Sequence, residues 1–133
     1  MAGKTILVLM MLLGFISPAN DPFSGTWILN RYAAKIPPPF SATKSLIVHV
    51  TVNTSDIEIT EEVIRDSGEH STIHAKAKFD GKDYPITGTS YANTVAYERV
   101  DRNIISGIVK KDGVLIMQVN AVLSPEGKGI VGY

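Results

Sequence analysis

The stretch FDGKDYPITG at residues 79–88 constrains the fold more than any other part of this 133-residue chain. Asp-Gly between two alternating runs is a strong β-hairpin signal, because Gly81 adopts a positive φ without a Cβ penalty and Asp80 tolerates one. Pro85 has no backbone N–H, so the returning strand must begin at a bulge or lie on an edge there. The chain therefore reverses at this point, and the extended runs on both sides predict an antiparallel meander.

Alternating apolar and polar positions extend this pattern along the chain. Within residues 44–53, one face holds Leu46, Val48, Val50 and Val52. The alternation continues over residues 57–65 and 70–79, where inward alanines suit a barrel wall that leaves room for a facing side chain or a ligand. Residues 114–123 are apolar on both faces, which predicts either cover on both sides or a place in the wall of a cavity. About eight or nine short strands, spaced by roughly 8–12 residues, predict an all-β, antiparallel up-and-down barrel or sandwich.

Residues 1–19 have the pattern of a secretory signal peptide. Lys4 precedes an apolar run at residues 5–16, and small residues follow that suit cleavage after Ala19. The run is shorter than the roughly 20 residues that a membrane-spanning helix needs. A buried first helix or an uncleaved anchor is the alternative. We therefore predict a secreted or periplasmic domain at residues 20–133 that keeps no stable membrane anchor after cleavage.

Composition excludes several classes of function. Thirteen basic residues balance thirteen acidic ones, so no net charge favours binding to nucleic acid. The chain has no cysteine, which rules out thiol nucleophiles and cysteine-ligated metals. An exported domain without disulfides must rely on its apolar core for stability.

The titratable residues show no catalytic or metal-binding pattern. His70 and His74 are four residues apart, which on a strand separates their Cα atoms by roughly 13 Å, too far to share an ion unaided. A three-histidine site that includes His49 requires neighbouring strands to converge. Glu61 and Glu62 are adjacent, so on a strand they face opposite ways and do not form an acid–base pair. We therefore predict no enzyme activity, no cofactor and no metal site.

Several segments carry a resemblance to known proteins: FSGTW at 23–27, FDGKDYPITG at 79–88, TVAYERVD at 94–101 and SPEGK at 124–128, with a proline-rich connection between residues 31 and 43. Together they resemble a family of small exported bacterial lipocalin-like proteins of the calycin type, whose function is largely uncharacterised. The resemblance covers nearly all of residues 20–133 and implies a lipocalin-like β-barrel. The GTW element also resembles the opening of fatty-acid-binding proteins and lipocalins in general, where the tryptophan closes one barrel end.

The chain departs from these families in two places. Members of the lipocalin-like family usually continue past SPEGK with two more strands, whereas this sequence stops at Tyr133. The resemblance therefore implies a barrel that lacks its last strands, and it leaves open whether the barrel closes without them. Fatty-acid-binding proteins hold a ligand carboxylate with an Arg-x-Tyr pair on the final strand, and Val131 stands in place of that arginine here. That carboxylate site is not carried over.

Two classes of function remain open from the sequence. The first is a binding module that encloses a small apolar or amphipathic ligand, with these candidates for its wall: Trp27, Tyr97, Arg99, Met117 and Val119. The second is a structural or interaction protein with a filled core, which associates with itself or a partner through an exposed edge at residues 129–133. A cavity of several hundred Å³ favours the first class, and a filled interior favours the second.

Arg99 has two interpretations within the first class. If its face of the strand is interior, the guanidinium beside Tyr97 can hold an anionic head group through charge-assisted hydrogen bonds. If the face is exterior, Arg99 pairs with a surface acid, and such exposed pairs contribute almost nothing to stability.

Overall fold

The computed structural model of this chain describes residues 9–15, 21–29, 43–125 and 129–132. Ten β-strands lie in these ranges: β1 (Leu9–Phe15), β2 (Gly25–Leu29), β3 (Thr43–Val52), β4 (Asp56–Arg65), β5 (His70–Lys78), β6 (Tyr84–Thr87), β7 (Thr94–Asp101), β8 (Ile104–Lys111), β9 (Val114–Leu123) and β10 (Gly129–Gly132). The same ranges contain no helix of a length and hydropathy suited to crossing a membrane. The proline-rich connection lies outside the described residues.

Each strand pairs with its neighbours in antiparallel fashion. β2 to β10 follow one another in the sheet in chain order and form a single curled meander of nine strands. β1 pairs with β2 on one side and with β10 on the other, which joins the two ends of the meander into a ring. The predicted all-β antiparallel meander is confirmed.

β1 lies within the residues predicted to form the signal peptide. Its backbone pairs with β10 from Leu9 to Leu12 and with β2 from Met11 to Phe15, so the described part of the apolar run, Leu9–Phe15, is extended rather than helical. The edge of β10 that was expected to be free is therefore paired along residues 129–132 in the full chain. Cleavage after Ala19 stays a prediction.

The central Asp-Gly stretch reverses the chain as predicted, through a wide connection. Gly81 has a φ of 72°, and its N–H donates to the Tyr97 carbonyl oxygen at 3.1 Å. The Asp80 carboxylate accepts hydrogen bonds from the Tyr84 hydroxyl at 2.7 Å and from the Lys82 N–H at 3.0 Å. The bond between the two side chains lowers the pKa of Asp80 and raises that of Tyr84. These bonds fold the connection between β5 and β6 around Asp80.

Pro85 sits where its missing N–H leaves no gap in a ladder. It lies opposite Thr94 of β7, whereas the ladder between β6 and β5 includes only Ile86 and Thr87. Toward β5 the position is therefore a local edge, as the sequence required.

A second Asp-Gly pair makes the tight turn between β8 and β9. Asp112 and Gly113 have φ values of 50° and 81°, and the strands pair from Lys111 and Val114 onward. Two successive left-handed residues match the right-handed twist of a hairpin, which explains the preference for Asp-Gly here.

Buried apolar side chains fill the interior at one end of the sheet, called the packed end below: Phe23, Trp27, Val52, Ile57, Ala77, Ile105 and Leu123. Phe23, Ile57 and Ile105 also border the cavity described below. Trp27 is completely buried, and its indole N–H donates to the Phe23 carbonyl oxygen at 2.9 Å. The turns from β3 to β4 and from β7 to β8 lie at this end. The other half of the interior, toward the turns from β4 to β5 and from β8 to β9, is called the cavity end.

The beginning of β9 contradicts one of the two outcomes predicted for residues 114–123, namely cover on both faces. Val114 and Leu115 are 65% and 59% exposed, so this part of the strand is not covered on both faces. β10 pairs only with residues 121–123 of β9, so the beginning of β9 also has β8 as its one neighbour among the described strands. From Met117 onward, alternate side chains line the interior cavity, which was the other predicted outcome.

Candidate functional site

A cavity of about 280 Å³ occupies the cavity end of the interior. Its wall consists mostly of aliphatic side chains, among them Leu46, Val50, Ile59, Val63, Ile73, Val95, Val109, Met117, Val119 and Ala121. The polar or titratable side chains in the described part of this wall are Thr43, Glu61, Arg65, Thr89 and Tyr97. A smaller space of about 100 Å³ adjoins it and shares Glu61 and Tyr97.

The alternation of β4 brings Glu61 into this wall. Ile57, Ile59 and Val63 line the cavity, and Glu61 shares their face because side chains two residues apart point the same way. Glu62, on the other face, is exposed and contacts the His49 ring at 2.8 Å. The two adjacent glutamates thus face opposite ways, as predicted.

Glu61 is the one carboxylate in the described wall of the cavity. Within the described residues, its oxygens form no hydrogen bond or ion pair. Burial raises its pKa from 4.5 to about 6, since the surrounding aliphatic groups stabilise a charge less than water does. A desolvated carboxylate without a partner is unusual, because buried charges are normally paired.

Tyr97 of β7 shares the wall with Glu61. Burial and, to a smaller extent, the negative charge of Glu61 raise the pKa of its phenol. No described residue makes a hydrogen bond with its hydroxyl group. The ring lies over Gly107, its cross-strand neighbour on β8: a Cβ at that glycine would come within 3.0 Å of Cε1 of the tyrosine. Gly107 therefore makes room for an aromatic ring in the wall.

Arg65 stands at the outer limit of the cavity, four residues beyond Glu61 on β4. Its Nε atom lies 3.5 Å from a Glu69 carboxylate oxygen, and its guanidinium lies 4.9 Å from the centre of the Tyr91 ring. Glu69 is the acidic partner of Arg65 in the described structure, and no ion pair joins Arg65 to Glu61 there. The positive charge at the mouth is therefore engaged with its own neighbours.

Arg99 lies at the packed end and is not in the wall of the cavity. Its guanidinium donates two hydrogen bonds to the Asp21 carboxylate, at 2.8 and 3.3 Å, and two of its nitrogens donate to the carbonyl oxygens of Asp101 and Arg102. It also lies 5.3 Å from the centre of the Phe23 ring. Both side chains of the ion pair are 22% exposed. Arg99 therefore fits neither interpretation drawn from the sequence: it does not hold a ligand head group in the cavity, and its ion pair is not a fully exposed surface pair.

Three of the five predicted wall residues meet in the cavity: Tyr97, Met117 and Val119. Trp27 fills the packed end, and Arg99 fastens the segment at Asp21 to the turn after β7. Sequence reasoning missed Glu61 as a wall residue. The alternation of β4 contained the signal, since position 61 follows Ile57 and Ile59 in steps of two.

The remaining titratable clusters lie outside the cavity. His74 contacts Glu58 at 2.9 Å in an exposed pair on the outer face, as His49 contacts Glu62. Among the described residues, no three histidine or acidic side chains are arranged to hold a metal ion. The polar or titratable groups in the described wall of the cavity are thus one carboxyl, one phenol, two threonine hydroxyls and the guanidinium of Arg65.

Comparison of the chain with protein-family models, with curated proteins and with solved structures finds no match. The function must therefore be inferred from the cavity and the sheet themselves.

Proposed function

We propose that this chain is an exported, lipocalin-like barrel that binds a small apolar or amphipathic molecule in the cavity. The observation that supports this best is the mainly aliphatic space of about 280 Å³ with two polar groups, Glu61 and Tyr97, that lack partners among the described residues. Ligand sites are typically apolar cavities with a few polar groups that orient the ligand. The volume lies near the lower limit of roughly 300–1,000 Å³ for such sites, which favours a small ligand.

Burial of apolar surface supplies the driving force for such a ligand. A molecule that buries about 200 Å² of apolar surface gains about 5 kcal/mol at 25 cal/mol per Å², before the entropic costs of association. Micromolar or weaker affinity is the expected range for a contact of this kind.

Native mass spectrometry of the exported protein, followed by calorimetric titration with n-octanol, tests this function. Val119→Phe places a ring in the cavity, whereas Val100→Phe makes the same change at a position that is 59% exposed. We expect the first variant to lose octanol binding and the second to keep it. Equal binding by wild type and Val119→Phe, with both folded by circular dichroism, contradicts the proposal.

A second candidate function is association through strand edges, and β1 is the observation that favours it. β1 belongs to the predicted signal peptide, yet it pairs with both β2 and β10. Cleavage after Ala19 would remove it and leave two strand edges without their neighbour, and unpaired edges accept strands from other chains. The mass of the exported protein, measured together with its size in solution, tests this: a cleaved monomer speaks against association.

A further inference from the structure

We propose that the ligand of the cavity is a cationic amphiphile, a small molecule with an apolar body and an ammonium group that pairs with the Glu61 carboxylate. This inference rests on the proposed ligand-binding function and names the ligand class for the same cavity. It follows from the sign and position of the charges inside the sheet.

Glu61 supplies a negative charge that has no partner in the described structure. It lies in an apolar wall, where a carboxylate is strongly stabilised by a cation brought to it. A ligand ammonium group is such a cation, and its N–H bonds donate to the carboxylate oxygens in charge-assisted hydrogen bonds.

Tyr97 adds to the preference for a cationic head group. Its hydroxyl oxygen has lone pairs that accept hydrogen bonds, and the face of its ring attracts cations. The ring and the carboxylate lie in the walls of both the cavity and the smaller space beside it, and the negative charge of Glu61 contributes to the raised pKa of Tyr97. Both groups therefore favour a positively charged head group at this place.

The charges of the described wall disfavour an anionic head group. Arg65 is the one basic side chain in the described wall, and it is held at the mouth by Glu69 and Tyr91. Arg99 is bound to Asp21 at the packed end. A fatty acid in the cavity would bring its carboxylate near Glu61 without a free cation beside it, and like charges repel strongly in an apolar interior.

The volume limits the size of the apolar body. At roughly 30 Å³ for each water-sized group, a cavity of about 280 Å³ accommodates about nine such groups. n-Octylamine has nine non-hydrogen atoms and is therefore a suitable probe. n-Octanol and octanoate carry the same chain with a neutral and a negative head group.

The test compares calorimetric titrations of the full chain with these three probes at pH 7. We expect octylamine to bind most tightly and octanoate most weakly. Glu61→Gln should weaken octylamine binding at least tenfold and leave octanol binding within a factor of two. Glu62→Gln is the matched control, since it makes the same change on the adjacent, outward-facing position of β4, and it should leave the affinities for all three probes unchanged.

A pH series separates the charge of Glu61 from that of the ligand. Hexyltrimethylammonium is charged at every pH, so its affinity should fall about tenfold from pH 7 to pH 5 as Glu61, with a pKa of about 6, becomes protonated. The other titratable side chains in the described wall are Tyr97 and Arg65, and burial raises the pKa of the Tyr97 phenol further above this interval. In Glu61→Gln this pH dependence should disappear, because the variant lacks the carboxyl group that causes it.

The possible outcomes distinguish the two proposals. If octanol or octanoate binds as tightly as octylamine, or if Glu61→Gln leaves octylamine binding unchanged, the cationic ligand class is wrong while the binding function stands. If none of the probes binds to folded protein, the binding function itself is wrong.

Discussion

The packed end and the cavity end are built by the same alternation of the same strands, yet they differ in what fills them. On β4, Ile57 belongs to the packed core and only borders the cavity, while Glu61, four residues further, lies in the wall of the cavity and not in that core. On β7, Tyr97 lines the cavity and Arg99 is clamped by Asp21 at the packed end. One strand thus contributes to a core in one half and to a candidate binding site in the other.

Stability and binding are divided along the strands: the packed end supplies stability, and the cavity end supplies the candidate binding site. Trp27, Phe23 and the Arg99–Asp21 pair concentrate buried area and hydrogen bonds at one end. The cavity end carries an unfilled volume and a desolvated carboxylate, both of which destabilise the folded state. The packed end must offset these costs, so substitutions in the two halves should have effects of different size and, at Glu61, of opposite sign.

Trp27→Ala should show the largest effect, because it removes the largest side chain of the packed end. We expect a loss of about 3–5 kcal/mol in the free energy of unfolding, which is the usual range for a buried aromatic residue. The change also leaves the Phe23 carbonyl oxygen without its indole donor. Urea unfolding followed by circular dichroism measures it, with Val119→Ala in the wall of the cavity as the comparison. A smaller loss for Trp27→Ala than for Val119→Ala would contradict the division described above.

Gly88→Ala should destabilise the protein by about 2–4 kcal/mol, from backbone strain and overpacking together. Gly88 has a φ of 92°, and a Cβ there would lie 1.8 Å from the Thr72 carbonyl oxygen. Gly113→Ala is the control, since Gly113 has a φ of 81° but nothing within 4 Å of the added atom. The melting temperature of Gly88→Ala should therefore fall well below that of Gly113→Ala. Equal values would mean that backbone conformation alone matters at both positions.

Arg99→Ala should cost about 1.5–3 kcal/mol, the range for hydrogen bonds to a charged group. It leaves the Asp21 carboxylate, itself 22% exposed, without its guanidinium. Arg99→Lys restores the charge but not the two-pronged geometry, and it should recover only part of the loss. Thermal unfolding of both variants measures this, while octanol binding at the cavity end should stay unchanged. A loss of octanol binding in either variant would show that the packed end and the cavity end are coupled.

Glu61→Gln should have the smallest effect and the opposite sign, stabilising the free protein by up to about 2 kcal/mol at pH 7. The folded state raises the pKa of Glu61 from 4.5 to about 6, so the Glu61 carboxyl binds a proton more tightly in the folded protein than in the unfolded chain. This contribution to stability is greatest below pH 4.5 and is lost as the pH rises through 6. Unfolding free energies of wild type and variant at pH 4 and pH 7 check it. A variant that is less stable than wild type at pH 7 would show that the carboxylate has a favourable partner.

The features that could be predicted from sequence are local ones. Alternation within residues 44–123 and the Asp-Gly pairs at 80–81 and 112–113 depend on neighbouring residues, and the structure confirms the strands and reversals that they predicted. Three of the five residues predicted for the wall of a binding module, Tyr97, Met117 and Val119, lie in the wall of the cavity.

The features that were missed depend on distant or unusual contacts. The Arg99–Asp21 pair joins residues 78 positions apart, and nothing in the sequence near Arg99 indicates that partner. Glu61 faces inward by alternation, but carboxylates usually lie on the surface, and that general preference hid its position. The apolar run at residues 5–16 suits both a signal peptide and a strand, so hydropathy alone did not indicate the pairing of β1.

The pairing of β1 with β10 also implies an order of events during folding. Leu9 and Gly132 face each other in the ring although roughly 120 residues separate them along the chain, and contacts of such separation form late because closing the loop between them costs entropy. The hairpins from β3 to β5 and from β8 to β9 join neighbours along the chain, so forming them closes only short loops. The seam beside β1 therefore closes last, and a small molecule can reach the interior before the ring is complete.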